Sequence, residues 1–475
     1  MFNWFRNLFV KKTYETRING MSDILTTLDV FNQGMDWPIE SQCQRLQKYD
    51  LLEKMLENKH ESVILDDIKK IYPDDDEYKK VRIIKLDYYR ATNEALADLE
   101  HGETPEFSCT DQDYLNELMR NTQFTDVIAC FDSDLKTFGN AVLKIRRENN
   151  KPFIDNINPR YWFPVVELLN YKKVIAQVIA FDYEIDGKKY LKIEIHRPGS
   201  VETRVHLLKN DKIDYAIQEP VIEDTGLEFN TIITQKLTPN SDEIYSDSDF
   251  EKYNSIVTAM EVELSKIGYN LDKQGKILYG PENATQFNAQ TGKWELKLDT
   301  YIPLDGDDRA PGLLTFDAQI TQAIEYINKL QEQYYIASGT SAALFAMDSA
   351  NISSGTALKR LLQRPLSKAS KVVQRIKEPL ELSLILASEL ENKTIKEISS
   401  KWRDGLVNDE TEDTQNYNSR VITGTMSKLT AIQRLDNITE DQAKIELNQI
   451  QEEKKQESAI NLDDLYGNEG GGNNE

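Results

Sequence analysis

Arg360, Arg364, Lys368, Lys371 and Arg375 recur at steps of four, four, three and four, a spacing that on a helix sets five cations along one face. Guanidinium and ammonium groups so placed can hold phosphate oxygens or carboxylates. In a chain with 80 acids against 57 bases and a net charge of −23, the stripe stands apart. Three readings follow, in order: pairing with an acidic face of another subunit, an ordinary solvated helix face, and contact with DNA phosphate. Pro365 and Pro379 fall inside the run and should kink it. The acidic balance itself argues against a protein that grips DNA through a general basic surface. It permits a surface that DNA passes without sticking.

Other chemistry is thin. Asp247, Asp249 and Glu251 alternate as in part of a calcium loop, but the glycine at the sixth place and the glutamate at the twelfth are missing. An N-cap into the following helix is the reading taken. His60, His101, His196 and His206 form no H-E-x-x-H and no Cys/His cluster, so no zinc site is expected. The chain lacks G-x-x-x-x-G-K-[ST], which excludes a P-loop ATPase. Gly339-Thr340-Ser341-Ala342 has the outline of a nucleophile elbow but follows a helix where that motif needs a strand. No catalytic residue, metal or cofactor is expected. Cys43, Cys109 and Cys130 form no C-x-x-C pair, which suits a reducing compartment. No apolar run is long enough to span a membrane. The short apolar stretch Met1 to Lys12 is expected to dock on its own or a neighbouring subunit rather than on a membrane.

Periodicity supplies the framework. From Glu40 to about Leu99 the pattern is helical, with Tyr49, Leu52, Met55 and Leu56 on one face and Val81, Ile84, Tyr88 and Ala91 on another. Pro73-Asp74-Asp75-Asp76 makes a turn between them. Helices over Asp111 to Asn121 and Phe124 to Phe138 precede an antiparallel β-meander built from Ala141–Ile145, Phe153–Ile157, Val174–Phe181, Leu191–His196 and Val201–Leu208. Two helices with narrow apolar seams follow, Asp249 to Asp272 and Thr315 to Ala337. Val257, Met260, Leu264 and Ile267 mark the first seam; Ile320, Ile327 and Leu330 mark the second. Between them lies a small β-rich insert with Trp294 and the turn containing Asp307 and Arg309. The loop Ser338 to Ser353 (SGTSAALFAMDSANIS) is nearly free of charge. Helices over Val421 to Leu435 and Glu440 to Glu457, then an acidic disordered tail, close the chain.

Phe138-Gly139-Asn140-Ala141-Val142, then Asn158-Pro159-Arg160-Tyr161-Trp162-Phe163-Pro164-Val165, resemble successive segments of tailed-bacteriophage portal proteins. Ser353-Ser354-Gly355-Thr356-Ala357-Leu358-Lys359 resembles the segment that starts the tunnel helix in siphophage portals from Gram-positive hosts. Gly424 to Ala431 and Glu446 to Glu453 are similar to their C-terminal helices.

The resemblance implies an α+β, mainly helical portal fold assembling into a ring, usually of twelve subunits. Its parts would be an N-terminal arm (1–45), a wing of helices then β-meander (46–248), stem helix 1 (249–272), a clip (273–314), stem helix 2 (315–337), a tunnel loop with kinked wing helix (338–405), a crown (406–460) and the tail (461–475). It further implies a conduit for double-stranded DNA at one capsid vertex, used in packaging and ejection, rather than an enzyme. Partners would be the terminase large subunit, a head-tail connector, and the major capsid and scaffolding proteins. The place would be the virion, after synthesis in the bacterial cytoplasm. Thr340, Ser341, Met347, Asp348, Asn351 and Ser353 would face DNA; Ser354, Gly355, Ala357 and Lys359 would start the tunnel helix. Trp294, Asp307 and Arg309 would make clip contacts. The alternatives from other classes are another capsid or connector scaffold, and a metal-dependent nuclease.

Overall fold

The computed structural model describes residues 24–72, 78–149, 151–168, 170–239, 244–273, 278–279, 285–290, 292–296, 312–313, 317–347, 355–395, 397–403, 410–436, 438 and 442–454. The turn at Pro73 to Asp76, the first residues and the tail lie outside these. The fold is α+β. Helices α1 (Cys43–Leu56), α2 (Glu61–Ile71) and α3 (Tyr88–His101) come first; β1 (Glu106–Ser108), α4 (Gln112–Asn121) and α5 (Phe124–Phe138) follow. The strands are β2 (Asn140–Glu148), β3 (Lys151–Ile157), β4 (Trp162–Glu167), β5 (Asn170–Ile185), β6 (Lys188–Arg197), β7 (Ser200–Lys209), β8 (Lys212–Ala216), β9 (Val221–Asp224) and β10 (Ile232–Lys236).

Next come α6 (Asn254–Lys273) and α7 (Asp317–Ser338), separated by β11 (Leu278–Tyr279), β12 (Thr285–Asn288), β13 (Lys293–Leu296) and β14 (Gly312–Leu313). β11 pairs with β14, and β12 with β13. Then follow α8 (Gly355–Leu361), α9 (Gln363–Leu390), β15 (Ser399–Lys401), α10 (Glu410–Ile422), α11 (Lys428–Leu435) and a helix α12 over 442–454. Two compact units result: 348–361 with 406–475 forms one, and the rest of the chain the other.

Three expectations change. The β region is two sheets, not one meander, because β2, paired on one side with β3, takes the distant β10 on the other (order β10-β2-β3). The remaining strands, β4 to β8 with β9 beside β7, form the six-stranded sheet. Residues Val81 to Ile84 are not helical; the chain has no regular secondary structure until α3 begins at Tyr88, and the Ile84 and Leu86 N–H groups are taken by side chains of α6. In the smaller unit the helix expected over Val421 to Leu435 is broken, since α10 ends at Ile422 and α11 begins at Lys428. Gly424 takes φ +72°, and Ser427 caps α11 by accepting from the Thr430 N–H at 3.1 Å.

Strand β2 is buried on both faces. Ala141, Leu143 and Ile145 join Leu115, Phe131 and the α9 stripe Val372, Ile376, Leu380 and Leu384; Val142 packs the other way, on Trp162 and Ile179. That is why its sequence is apolar without alternation. On the six-stranded sheet, Val178, Ala180, Leu191, Ile193 and Ile195 bury against Leu25, Phe31 and Trp37 of the N-terminal segment.

Gly139 stands at the crossing of these layers with φ +76°. A Cβ there would come within 2.4–2.6 Å of the Ser246 and Asp247 carbonyls. Asn140 locks the crossing: its Nδ2 donates to the Tyr49 hydroxyl at 3.1 Å, and its Oδ1 accepts from the Ser246 N–H at 3.3 Å.

Nearby, the buried Lys136 ammonium donates to Glu100 Oε2 at 2.7 Å and Asp132 Oδ2 at 2.6 Å, joining α3 to α5. His101 Nε2 lies 3.1 Å from the same Asp132 oxygen. Burial pushes the Asp132 carboxyl up, but Lys136 and His101 outweigh it and hold it below its ordinary value. Burial and the Asp132 charge push Glu100 well up. Glu100, His101 and Asp132 are close enough together to be weighed as a metal site. The Lys136 ammonium, in contact with both carboxylates, already supplies the positive charge a metal would bring.

Gly139→Val should therefore cost at least about 3 kcal/mol, since both the positive φ and the two carbonyls oppose it; denaturant midpoints measure it. Lys136→Met should lose about 3–5 kcal/mol by leaving two carboxylates without their cation. Adding Asp132→Asn to Lys136→Met should recover part of that loss in the same measurement.

Candidate functional site

Helices α6 and α7 pack against each other, and their root is the most aromatic part of the described chain. Tyr253 is buried against Tyr334 with ring centres 5.4 Å apart, and against Tyr89 at 5.8 Å. Because Tyr253 precedes α6 while Tyr334 lies near the end of α7, the pair is antiparallel. Burial pushes all three phenols well above their ordinary range. The Tyr334 hydroxyl also hydrogen-bonds Thr92 of α3.

The seams behave differently along their length. Val257 and Met260 are fully buried beside Tyr334. Leu264 and Ile267 on α6, and Ile320, Ile327 and Leu330 on α7, are only partly covered. On α7, Ile324, Tyr326 and Ile336 are about half exposed at 48%, 50% and 53%.

A second seam on α6 was not anticipated. Asn254, Thr258, Glu261 and Ser265 repeat at helical spacing and face inward. The Tyr89 hydroxyl donates to Asn254 Oδ1, the Leu86 N–H to Glu261 Oε1, and the Ile84 N–H to Ser265 Oγ, each at 2.9 Å. His60 Nε2 also donates to Glu261 Oε1 at 2.9 Å, both side chains having no exposure. This polar ladder takes up the Ile84 and Leu86 N–H groups, which lie in neither helix nor sheet.

The start of the hairpin is capped, though not by Asp249. Ser248 Oγ accepts from the Phe250 N–H at 3.0 Å and Glu251 Oε2 accepts from the Ser248 N–H at 2.9 Å, a reciprocal capping box. Asp249 is left to receive Lys252 at 2.8 Å and Lys368. Burial alone would raise its carboxyl; these two ammonium groups outweigh that and hold it below its ordinary value.

The loop after α7 turns inward before it turns out. Gly339 takes φ +71°, and a Cβ there would meet the Lys368 stem at 3.1 Å. Thr340 is a correction. It is buried, its hydroxyl paired with Ser338 Oγ at 2.7 Å and its N–H donating to the Tyr335 carbonyl at 3.1 Å, so it presents nothing outward. Ser341 is half-buried, and its Oγ is enclosed without a partner among the described residues. Met347 is 59% exposed. Asp348, Asn351, Ser353 and Ser354 lie outside the described residues, as do Asp307 and Arg309. Gly355 and Ala357 sit in α8 and Trp294 in β13, described as backbone only.

The basic stripe is divided. The helix breaks at Leu362, one turn ahead of the proline ring at Pro365, whereas Pro379 lies inside a continuous α9. Lys359 and Arg360, both exposed, belong to the smaller unit. Arg364 Nη2 donates to the Ile336 carbonyl at 2.6 Å, and Lys368 donates to the Ser338 carbonyl. Both therefore cap the C-terminus of α7, where unpaired carbonyls and the helix dipole favour cations. Lys371 and Arg375 remain exposed. Among the described residues no helix is long and apolar enough to cross a membrane.

No curated protein matches the chain. Among solved structures it is similar to chains in the virion of a native gene transfer agent particle (13% identity, TM-score 0.46), the neck of an empty particle computed with C6 symmetry (11%, 0.46) and the neck of a native particle computed with C12 symmetry (12%, 0.44). Each match covers 73% of this chain and 89% of the other. A family model described as "Phage portal protein, SPP1 Gp6-like" matches residues 37–459, nearly all of the 475, and the chain belongs to that family of phage portal proteins.

Proposed function

We propose that copies of this portal protein close into a ring of about twelve at one capsid vertex and pass double-stranded DNA along its axis during packaging and ejection. The observation that carries the ring is the uneven coverage of the α6–α7 hairpin. Its root is buried within the chain around Tyr253, Val257, Met260 and Tyr334, while Ile324, Tyr326 and Ile336 on α7 stay half exposed. Helices so exposed need neighbours, and copies of the same hairpin supply them.

In this reading α6 and α7 are the stem, and the insert at 273–314 is the clip that meets the terminase large subunit and the head-tail connector, with Trp294, Asp307 and Arg309 among its contacts. Met347, Asp348, Asn351 and Ser353 line the tunnel. Residues 46–248 and the α9 region form the wing, and 406–460 the crown, near the capsid and scaffolding proteins. The sequence Ser353 to Lys359 supports the siphophage type of Gram-positive hosts. No catalytic step is assigned: the ring acts as a conduit in which net negative charge keeps the polyanion from binding tightly.

Native mass spectrometry with negative-stain imaging tests this. A ring with a central hole and about twelve protomer masses is expected. A compact protomer that cleaves DNA with added magnesium would sink it. Ile324→Glu with Ile336→Glu should leave protomer stability within about 0.5 kcal/mol of the parent, as exposed positions do, while abolishing the ring in the same spectrum.

A further inference from the structure

One recess runs against the acidic character of the whole. Lys252, Lys368, Lys371 and Arg375 line a cleft of about 250 Å³ between the entry to α6 and the exposed side of α9. A single carboxylate, Asp249, faces these four cations, and it is already bonded to Lys252 and Lys368. Lys371 and Arg375 are exposed, and neither has a hydrogen bond or ion pair among the described residues. Gln374 adds an amide to the rim. The cleft is therefore an oxyanion site with two unused cations and a buried salt bridge as its floor.

Two polyanions could supply the oxyanion. Affinity for a DNA backbone grows with the number of phosphates neutralised, and two free cations per chain give little. One acidic side chain, by contrast, is satisfied by two cations in a recess of this size. Each copy carries 80 acids and a net charge of −23, so copies repel unless opposite charge is concentrated where they meet.

We infer that this cleft accepts a carboxylate side chain of a neighbouring copy, held by Lys371 and Arg375. The inference rests on the ring reading above and names a contact within it.

The test compares the full chain with Lys371→Glu/Arg375→Glu, both exposed positions, after circular dichroism and Tm have shown the variant folded. A fluorescent hexaglutamate peptide reads the site by anisotropy at low salt, and native mass spectrometry across a concentration series reads assembly. The variant is expected to lose about tenfold or more in peptide affinity and to need about tenfold more protein to assemble. Equal peptide affinity in both proteins overturns the carboxylate site. Reduced peptide affinity with unchanged assembly overturns the neighbouring copy as its source; if affinity for a short DNA duplex falls as well, the cleft belongs to DNA. A parent protein that discriminates the peptide yet stays a protomer at every concentration overturns the ring reading and leaves the carboxylate site standing.

Discussion

Two backbones cross at Gly139 more closely than any side chain would allow. The end of α5 and the start of β2 pass under Ser246 and Asp247, with carbonyls where a Cβ would otherwise sit. Around that contact the two halves of the larger unit are tied. Ser248 Oγ donates to the Thr137 carbonyl at 2.6 Å, the Asp249 N–H donates to the Lys136 carbonyl at 3.0 Å, and Asn140 reaches both Tyr49 and Ser246. The register of β2, and with it the core shared with α9, is thus fixed at the same place as the entry to α6.

From that root α6 carries two seams of different chemistry. The apolar one, through Val257 and Met260, was legible because hydrophobic spacing is local information. The polar one, through Asn254, Glu261 and Ser265, was not, since its partners lie about 165 to 200 residues away at His60 and Ile84 to Tyr89. Nothing in a buried glutamate's own surroundings announces that it will receive backbone N–H groups. The same blindness explains the misread stretch from Val81 to Ile84. Its apolar spacing fits a helix, yet side chains of α6 take the Ile84 and Leu86 N–H groups, and tertiary hydrogen bonding overrides local pattern.

The site shows a similar division. That Phe138 to Val142 lie between a helix and a strand was readable from the sequence, and the reason for the glycine only from the approach of Ser246 and Asp247. The β10 partner of β2 escaped notice because a five-residue strand some ninety residues downstream has no local mark of its pairing. Thr340 looked exposed because loops of small polar residues usually are. It turned inward because the end of α7 needs its N–H and hydroxyl to close the turn.

The basic stripe is where helical periodicity says least about role. Periodicity places five cations on one line, but a line drawn on a helix does not know what lies opposite. Opposite Arg364 and Lys368 lies the C-terminus of α7, whose free carbonyls attract cations whatever else happens nearby. Opposite Lys371 and Arg375 the described residues offer a cleft but no hydrogen-bond or ion-pair partner for either. Two members of one stripe are thus structural, and two are available to an outside partner. In a chain this acidic, cations left unpaired at the root of an apolar hairpin provide attraction that the exposed isoleucines alone would have to deliver against like-charge repulsion. In the ring proposed above, charge sets where copies can approach, and apolar contact along α7 is what is left to hold them.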